Sequence, residues 1–84
     1  MAKAQVGKIT HFFDKISVAV IELTAELKKG DMISIEGPQT NIAQPVASMQ
    51  IEKKEILVAK KGQSIGMKVN GPVKVNDVVY KVTP

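Results

Sequence analysis

In four stretches of this chain apolar residues recur at every second position, the period of a strand with one buried face. Ile33 and Ile35 alternate with Met32, Ser34 and Glu36. From Val46 to Lys53, Ala47, Met49 and Ile51 oppose Ser48, Gln50 and Glu52. Ile65, Met67 and Val69 oppose Ser64, Gly66 and Lys68, and near the end Val78, Tyr80 and Val82 oppose Val79, Lys81 and Thr83. Lys29-Gly30-Asp31, Lys61-Gly62-Gln63 and Val75-Asn76-Asp77 each stand just before a strand. Gly or Asn supplies the positive φ of a tight turn, and Asp or Gln offers an oxygen to nearby backbone amides. Gly37-Pro38 and Gly71-Pro72 mark further bends, and Pro45, without an N–H for a ladder, belongs at a strand start or an edge. Strands at this spacing predict an all-β chain built as a small barrel or sandwich.

Residues 15–29 fit two periods. Ile16, Ala19, Val20, Leu23 and Leu27 match a helical face that Gly30 would cap. The β-branched Ile16, Val18, Val20 and Ile21 favour a strand instead, and Asp14-Lys15 makes a hairpin turn after Phe12-Phe13. The expectation is a strand over 16–23, paired with a first strand that carries Ile9, His11 and Phe13 on one face.

With 84 residues the chain is expected to form one domain over 1–84, below the ~100–200 residues usual per domain. It supports one core rather than a core with a deep catalytic cleft, which disfavours an enzyme. No apolar run approaches the ~18–20 residues of a membrane span, and the stretch Ile16 to Ile21 has no cleavage pattern of a signal peptide after it. Without cysteine there is no disulfide, thiolate metal site or thiol nucleophile, and a cytoplasmic location is expected. Residues 1–42 carry five Lys and five acids, residues 43–84 seven Lys and three acids, so the net charge of +4 lies in the second half. That excess serves solubility first and attraction of a polyanion second.

Known catalytic patterns are missing. No G-x-x-x-x-G-K-[ST] loop occurs to cradle a nucleotide, and a single His, His11, supplies neither a zinc site nor a triad. His11 is expected to be a partly buried residue with a hydrogen-bond partner, and Glu22 with Glu26 and Glu52 with Glu55 to be solvated acids. Lys53-Lys54 and Lys60-Lys61 bracket a segment, Glu55 to Ala59, expected to be a loop, so that the four could meet successive phosphates. With no Arg, such contact would be by point charges and poor in sequence information. Phe12, Phe13 and Tyr80 are too few for a base-stacking platform and are expected to pack in the core or at a barrel end.

The turn-and-strand series resembles the second domain of translational GTPases, the barrel of elongation factor Tu, elongation factor G and bacterial initiation factor two. It is carried by Val6-Gly7-Lys8-Ile9, by Leu27 to Ile35 (L-K-K-G-D-M-I-S-I), by Val46 to Ile51 (V-A-S-M-Q-I) and by Ala59 to Gly66 (A-K-K-G-Q-S-I-G), over about 75 residues. The chain is also similar to small stand-alone elongation-factor-like proteins and to the C-terminal barrel of collagenase-like bacterial peptidases. The resemblance implies a closed six- or seven-stranded β-barrel. In elongation factor Tu an acid and an Arg stand where Gln50 and Lys53 stand here, so the resemblance implies a site at those positions in altered form. The leading expectation is a non-enzymatic module that binds RNA or the ribosome through Gln50, Lys53, Lys54, Lys60 and Lys61, with no cofactor, no nucleotide site and no membrane partner. The alternative is a protein-interaction module docking on a larger enzyme such as a collagenase-like peptidase. An exposed apolar patch about Phe12, Phe13 and Ile16 would favour docking, and a contiguous Lys surface RNA. A biotin- or lipoyl-carrying domain is a third option, because Met67-Lys68-Val69 is superficially like the biotin-lysine tripeptide.

Overall fold

The computed structural model describes residues 2–83. Its strands are β1 (Ala2–Phe13), β2 (Val18–Leu23), β3 (Leu27–Lys28), β4 (Met32–Gly37), β5 (Thr40–Pro45), β6 (Met49–Ile51), β7 (Lys54–Ile56), β8 (Val58–Ala59), β9 (Ser64–Lys68) and β10 (Val78–Thr83). Eight form one sheet in the order β5-β4-β10-β1-β2-β9-β6-β7, every pair antiparallel, and β3 with β8 makes a separate two-stranded ribbon. The all-β class is as expected, and residues 18–23 are strand, not helix. The closed barrel is not found: the ladder ends at β5 on one side and β7 on the other.

The sheet curls around one core that includes Ile9, Ile21, Ile33, Ile35, Met49, Ile65 and Val79, each without exposed surface or nearly so. Its free edge β5 is tied down by a side chain rather than a ladder. Gln44, 3% exposed, donates from Nε2 to the Lys68 carbonyl at 3.0 Å and accepts at Oε1 from the Asn70 N–H at 2.7 Å. One amide thus bridges β5 to the end of β9, satisfying groups that burial would otherwise leave without partners.

The three turn motifs share one geometry. In 28–31, 60–63 and 74–77 the third residue has positive φ: Gly30 at 94°, Gly62 at 89° and Asn76 at 77°. The fourth residue's N–H donates to the first residue's carbonyl at 3.1 Å each time. Its side chain accepts in return from the first residue's N–H: Asp31 Oδ2 from Lys28 at 2.9 Å, Gln63 Oε1 from Lys60 at 2.8 Å, Asp77 Oδ2 from Lys74 at 2.8 Å. Each turn then exchanges two backbone bonds with one residue of another segment, Val46, Leu23 and Ile9 respectively. These clamps fix where β4, β9 and β10 begin.

Several local expectations need correction. His11 is exposed, because the β1–β2 register shifts between Ile9 and His11 and breaks the alternation. The shift turns Phe12 toward the core and leaves Phe13 outside, stacked on the His11 ring at 6.5 Å between centroids. Tyr80 is half-buried and faces Lys3, whose Nζ lies 5.6 Å from the ring centroid, while its neighbour Val79 fills the core. The stretch 46–53 is strand only at Met49–Ile51, and 55–59 is no loop, since β7 and β8 occupy most of it. Strand β5 lies where no strand was expected; Pro45 is on an edge, opposite Met32, as its missing N–H requires.

Candidate functional site

Strand pairing sets a row of side chains on the outer face of the sheet. Opposite partners share a face in an antiparallel pair, so His11, Val20, Gly66 and Gln50 follow one another across β1, β2, β9 and β6, with Phe13, Val18 and Lys68 in the adjacent row. Gly66 adds no side chain to its row. A pocket of about 240 Å³ opens there, lined by Ile16, Val18, Ser48, Gln50, Gly66, Met67 and Lys68.

Beside it the β1–β2 turn exposes apolar surface. Phe13 is 52% and Ile16 62% exposed, and Phe12 lies beneath them, half-buried against the core. The loop is short: Ile16 donates to the Phe13 carbonyl at 3.3 Å, and Ser17 takes a positive φ of 55° so that Val18 can pair with Phe13. Further apolar exposure lies at Leu57 and Val58, where the chain passes from β7 into β8. Neighbouring exposed apolar residues of this kind mark interaction surfaces.

The five residues singled out from sequence are spread over β6, the β6–β7 hairpin tip, β7 and the second clamp. Gln50 lines the pocket. Lys60 and Lys61 are the first two residues of the second clamp, where the Lys60 N–H is held by Gln63. Lys53 sits at the tip of the β6–β7 hairpin and Lys54 opens β7. All four lysines are exposed, and among the described residues none makes a salt bridge. The residues that sequence reasoning passed over are Val18, Ser48 and Gly66, and Lys68 stood out only within the biotin-like tripeptide. A glycine in the middle of a cleanly alternating strand was the available signal, because it weakens a strand unless something approaches closely.

The carboxylates show surface pairing. Glu26 meets Lys28 at 3.7 Å and Glu55 meets Lys29 at 3.5 Å. Glu36 accepts from Lys3 Nζ at 2.6 Å and from Ser34 Oγ at 2.8 Å, and the Lys3 bond first, then that of Ser34, holds its carboxyl below the ordinary glutamate range. Among the described residues there is no group of three or more His, Cys, Asp or Glu placed to hold a metal, and no helix long and apolar enough to cross a membrane.

In fold, the chain matches the C-terminal domain of a Geobacillus thermoleovorans protein named as a U32 peptidase. Two crystal structures of that domain each superpose with a TM-score of 0.88 at 20% identity, over 93% and 94% of this chain and 99% and 92% of theirs. In sequence it is 44% identical over 79 residues to an uncharacterized protease of Methanocaldococcus jannaschii and 37% identical over 81 residues to a collagenase of Porphyromonas gingivalis. These matches cover 93% and 94% of this chain but 19% and 22% of those proteins, so the chain spans about a fifth of the length of the curated relatives it matches. No protein-family model matches. The similarity to collagenase-like peptidases is thus supported, and the expected roles in translation and RNA binding are overturned: the relatives are named as proteases and collagenases. The surface agrees with that correction, since the Phe13 and Ile16 patch is apolar and two of the four lysines belong to a structural turn.

Proposed function

We propose that this chain is an accessory β-domain of a collagenase-like peptidase, acting by protein–protein docking and contributing no catalytic group of its own. The observation that carries the reading is the 44% identity running through 93% of this chain against only a fifth of a protein named as a protease. A segment of that proportion is an added module rather than a whole peptidase. The exposed Phe13 and Ile16 supply an apolar surface of the kind that is buried at the centre of protein interfaces.

The test is complementation. The M. jannaschii relative is prepared without the fifth that this chain resembles, and either that segment or this chain is added back. Binding by calorimetry and hydrolysis of gelatin are measured. This chain is expected to bind the truncated peptidase and to hydrolyse nothing alone, with Phe13→Asp weakening binding at least about tenfold. If the relative's own segment binds and this chain does not, or if this chain hydrolyses gelatin unaided, the reading falls.

A further inference from the structure

Gly66 lies in mid-strand with none of the usual reasons for glycine. Its φ is not in the positive region, and the β2–β9 register passes through it without a bulge. A Cβ built on it would meet Val18 Cγ1 at 3.5 Å and the Gln50 carbonyl at 3.9 Å, which is ordinary van der Waals contact. Backbone conformation, pairing and packing would all accept a Cβ, and alanine would strengthen the strand. What a side chain would remove is space. Ile65 and Met67 point into the core, so the Cβ of residue 66 would point outward into the pocket between Val18 and Gln50. Glycine here keeps the floor of that pocket open.

The lining specifies what fits. Val18, Ile16 and the bare Gly66 backbone form an apolar floor and wall, and Ser48, Gln50 and Lys68 bring a hydroxyl, an amide and an ammonium to the same opening. Among the described residues Lys68 has no carboxylate partner, and neither the Ser48 hydroxyl nor the Gln50 side chain makes a hydrogen bond. The pocket thus offers an unspent cation and two unspent polar groups beside an apolar surface, which calls for an anion joined to an apolar group. At about 240 Å³ and open to solvent on one side, it is of the order of one leucine-sized residue of about nine non-hydrogen atoms. A single residue that carries both features suits an opening of that size. Within a peptide chain only a carboxyl-terminal apolar residue has its carboxylate and its apolar side chain on the same Cα.

We propose that this pocket binds the free carboxyl terminus of a peptide ending in an apolar residue, with the side chain over Gly66 and Val18 and the carboxylate toward Lys68, Ser48 and Gln50. Hydrolysis of a peptide bond creates one new carboxyl terminus, so a peptidase partner would supply such ligands. That last link rests on the docking reading; the chemistry of the pocket does not.

The experiment titrates N-acetyl-Gly-Gly-Leu into the ¹⁵N-labelled full chain by NMR, beside the same peptide as its C-terminal amide and N-acetyl-Leu-Glu-amide, whose carboxylate is a side chain. The free acid is expected to give saturable shifts at the amides of Val18, Gly66 and Lys68, and to bind at least about tenfold more tightly than either other peptide. Lys68→Ala is expected to lower affinity about tenfold. Gly66→Val is expected to abolish binding with a melting temperature no lower than the parent's, and Gly66→Ala to give an intermediate loss if valine disturbs the strand. Phe13 lies outside the pocket lining, so Phe13→Ser, which removes docking surface without adding a carboxylate to the row of Val18 and Lys68, should spare peptide binding, which separates failure here from failure of docking. Equal binding of acid and amide, unchanged binding by Gly66→Val, or no saturable shift by about 10 mM peptide would each overturn the proposal.

Discussion

The turns that start β4, β9 and β10 and the turn that joins β6 to β7 all hold residues at positive φ, with very different support. In the three clamps the strained position is Gly30, Gly62 or Asn76, residues that accept left-handed φ, and a side chain from the next residue closes the turn. In the β6–β7 hairpin the two loop residues are Glu52 at 51° and Lys53 at 67°, between the paired Ile51 and Lys54. Two consecutive positive values make a type I′ loop, which favours Asn-Gly. The clamps therefore lower the energy of the fold, whereas the hairpin stores strain beside Gln50, where the pocket opens. Strain of that kind persists where surrounding structure imposes it and gathers at functional positions.

The largest expected effect lies in the third clamp, the one whose closing side chain is buried. Asp77 is 3% exposed, and its carboxylate holds the Lys74 N–H and fills the space where a Cβ on Gly37 would stand. Asp77→Ala is expected to cost about 2–3 kcal/mol, the loss of a turn cap together with a buried polar group's partner and a small void. Asp77→Asn keeps an acceptor oxygen and should recover most of it. The exposed counterpart, Gln63→Ala, should cost only about 0.5–1 kcal/mol. Melting temperatures separate the two, at about 4–8 °C per kcal/mol for a domain of this size. Equal losses at both positions would mean that the clamps do not differ in the way their burial implies.

The opposite sign is expected at the hairpin. Replacing Glu52-Lys53 by Asn-Gly relieves two left-handed side-chain conformations at the cost of some glycine entropy, and should stabilise the chain by about 1 kcal/mol. A neutral or destabilising result would show that these residues make compensating contacts and that the hairpin carries no strain worth releasing.

The two regions also differ in how far the sequence discloses them. Gly30, Gly62 and Asn76, each followed by Asp or Gln, are local signals, and the structure uses them as their chemistry suggests. Alternation identified the core faces of β4 and β9 for the same reason, since a strand's period is visible within five residues. The open sheet was not visible, because a ladder's closure depends on whether distant edges meet, and here the link from β5 to β9 is the side chain of Gln44. His11 was misplaced because the β1–β2 register shifts between Ile9 and His11, which the alternation of residues 9–13 does not show. The lysines near the hairpin and second clamp were legible as charge, yet charge alone does not say whether a residue belongs to a turn or a surface. Gly66 was in plain sight within A-K-K-G-Q-S-I-G, and its significance appeared only once the neighbouring strands enclosed a space above it.

The smallest effect tests the ordinary outer face of β4, β10 and β1 against the pocketed face of β2, β9 and β6. The Glu36 carboxyl is displaced downward from its usual range through the Lys3 and Ser34 hydrogen bonds. A folded value below the unfolded one means that its contribution is present above the ordinary glutamate range and is lost as pH falls through the folded value. The parent should therefore be slightly more stable than Glu36→Gln near pH 6, and the two melting curves should converge as pH is lowered below the ordinary glutamate range. The group is on the surface and solvent screens the pair, so the separation should be small and should shrink further in about 0.5 M salt. Loss of Glu36 should leave the acid-peptide titration of the pocket unchanged. A Glu36→Gln protein whose stability follows the parent's at every pH would show that this ion pair contributes nothing to the fold, leaving the β4, β10 and β1 part of the sheet held by backbone ladders and core packing alone.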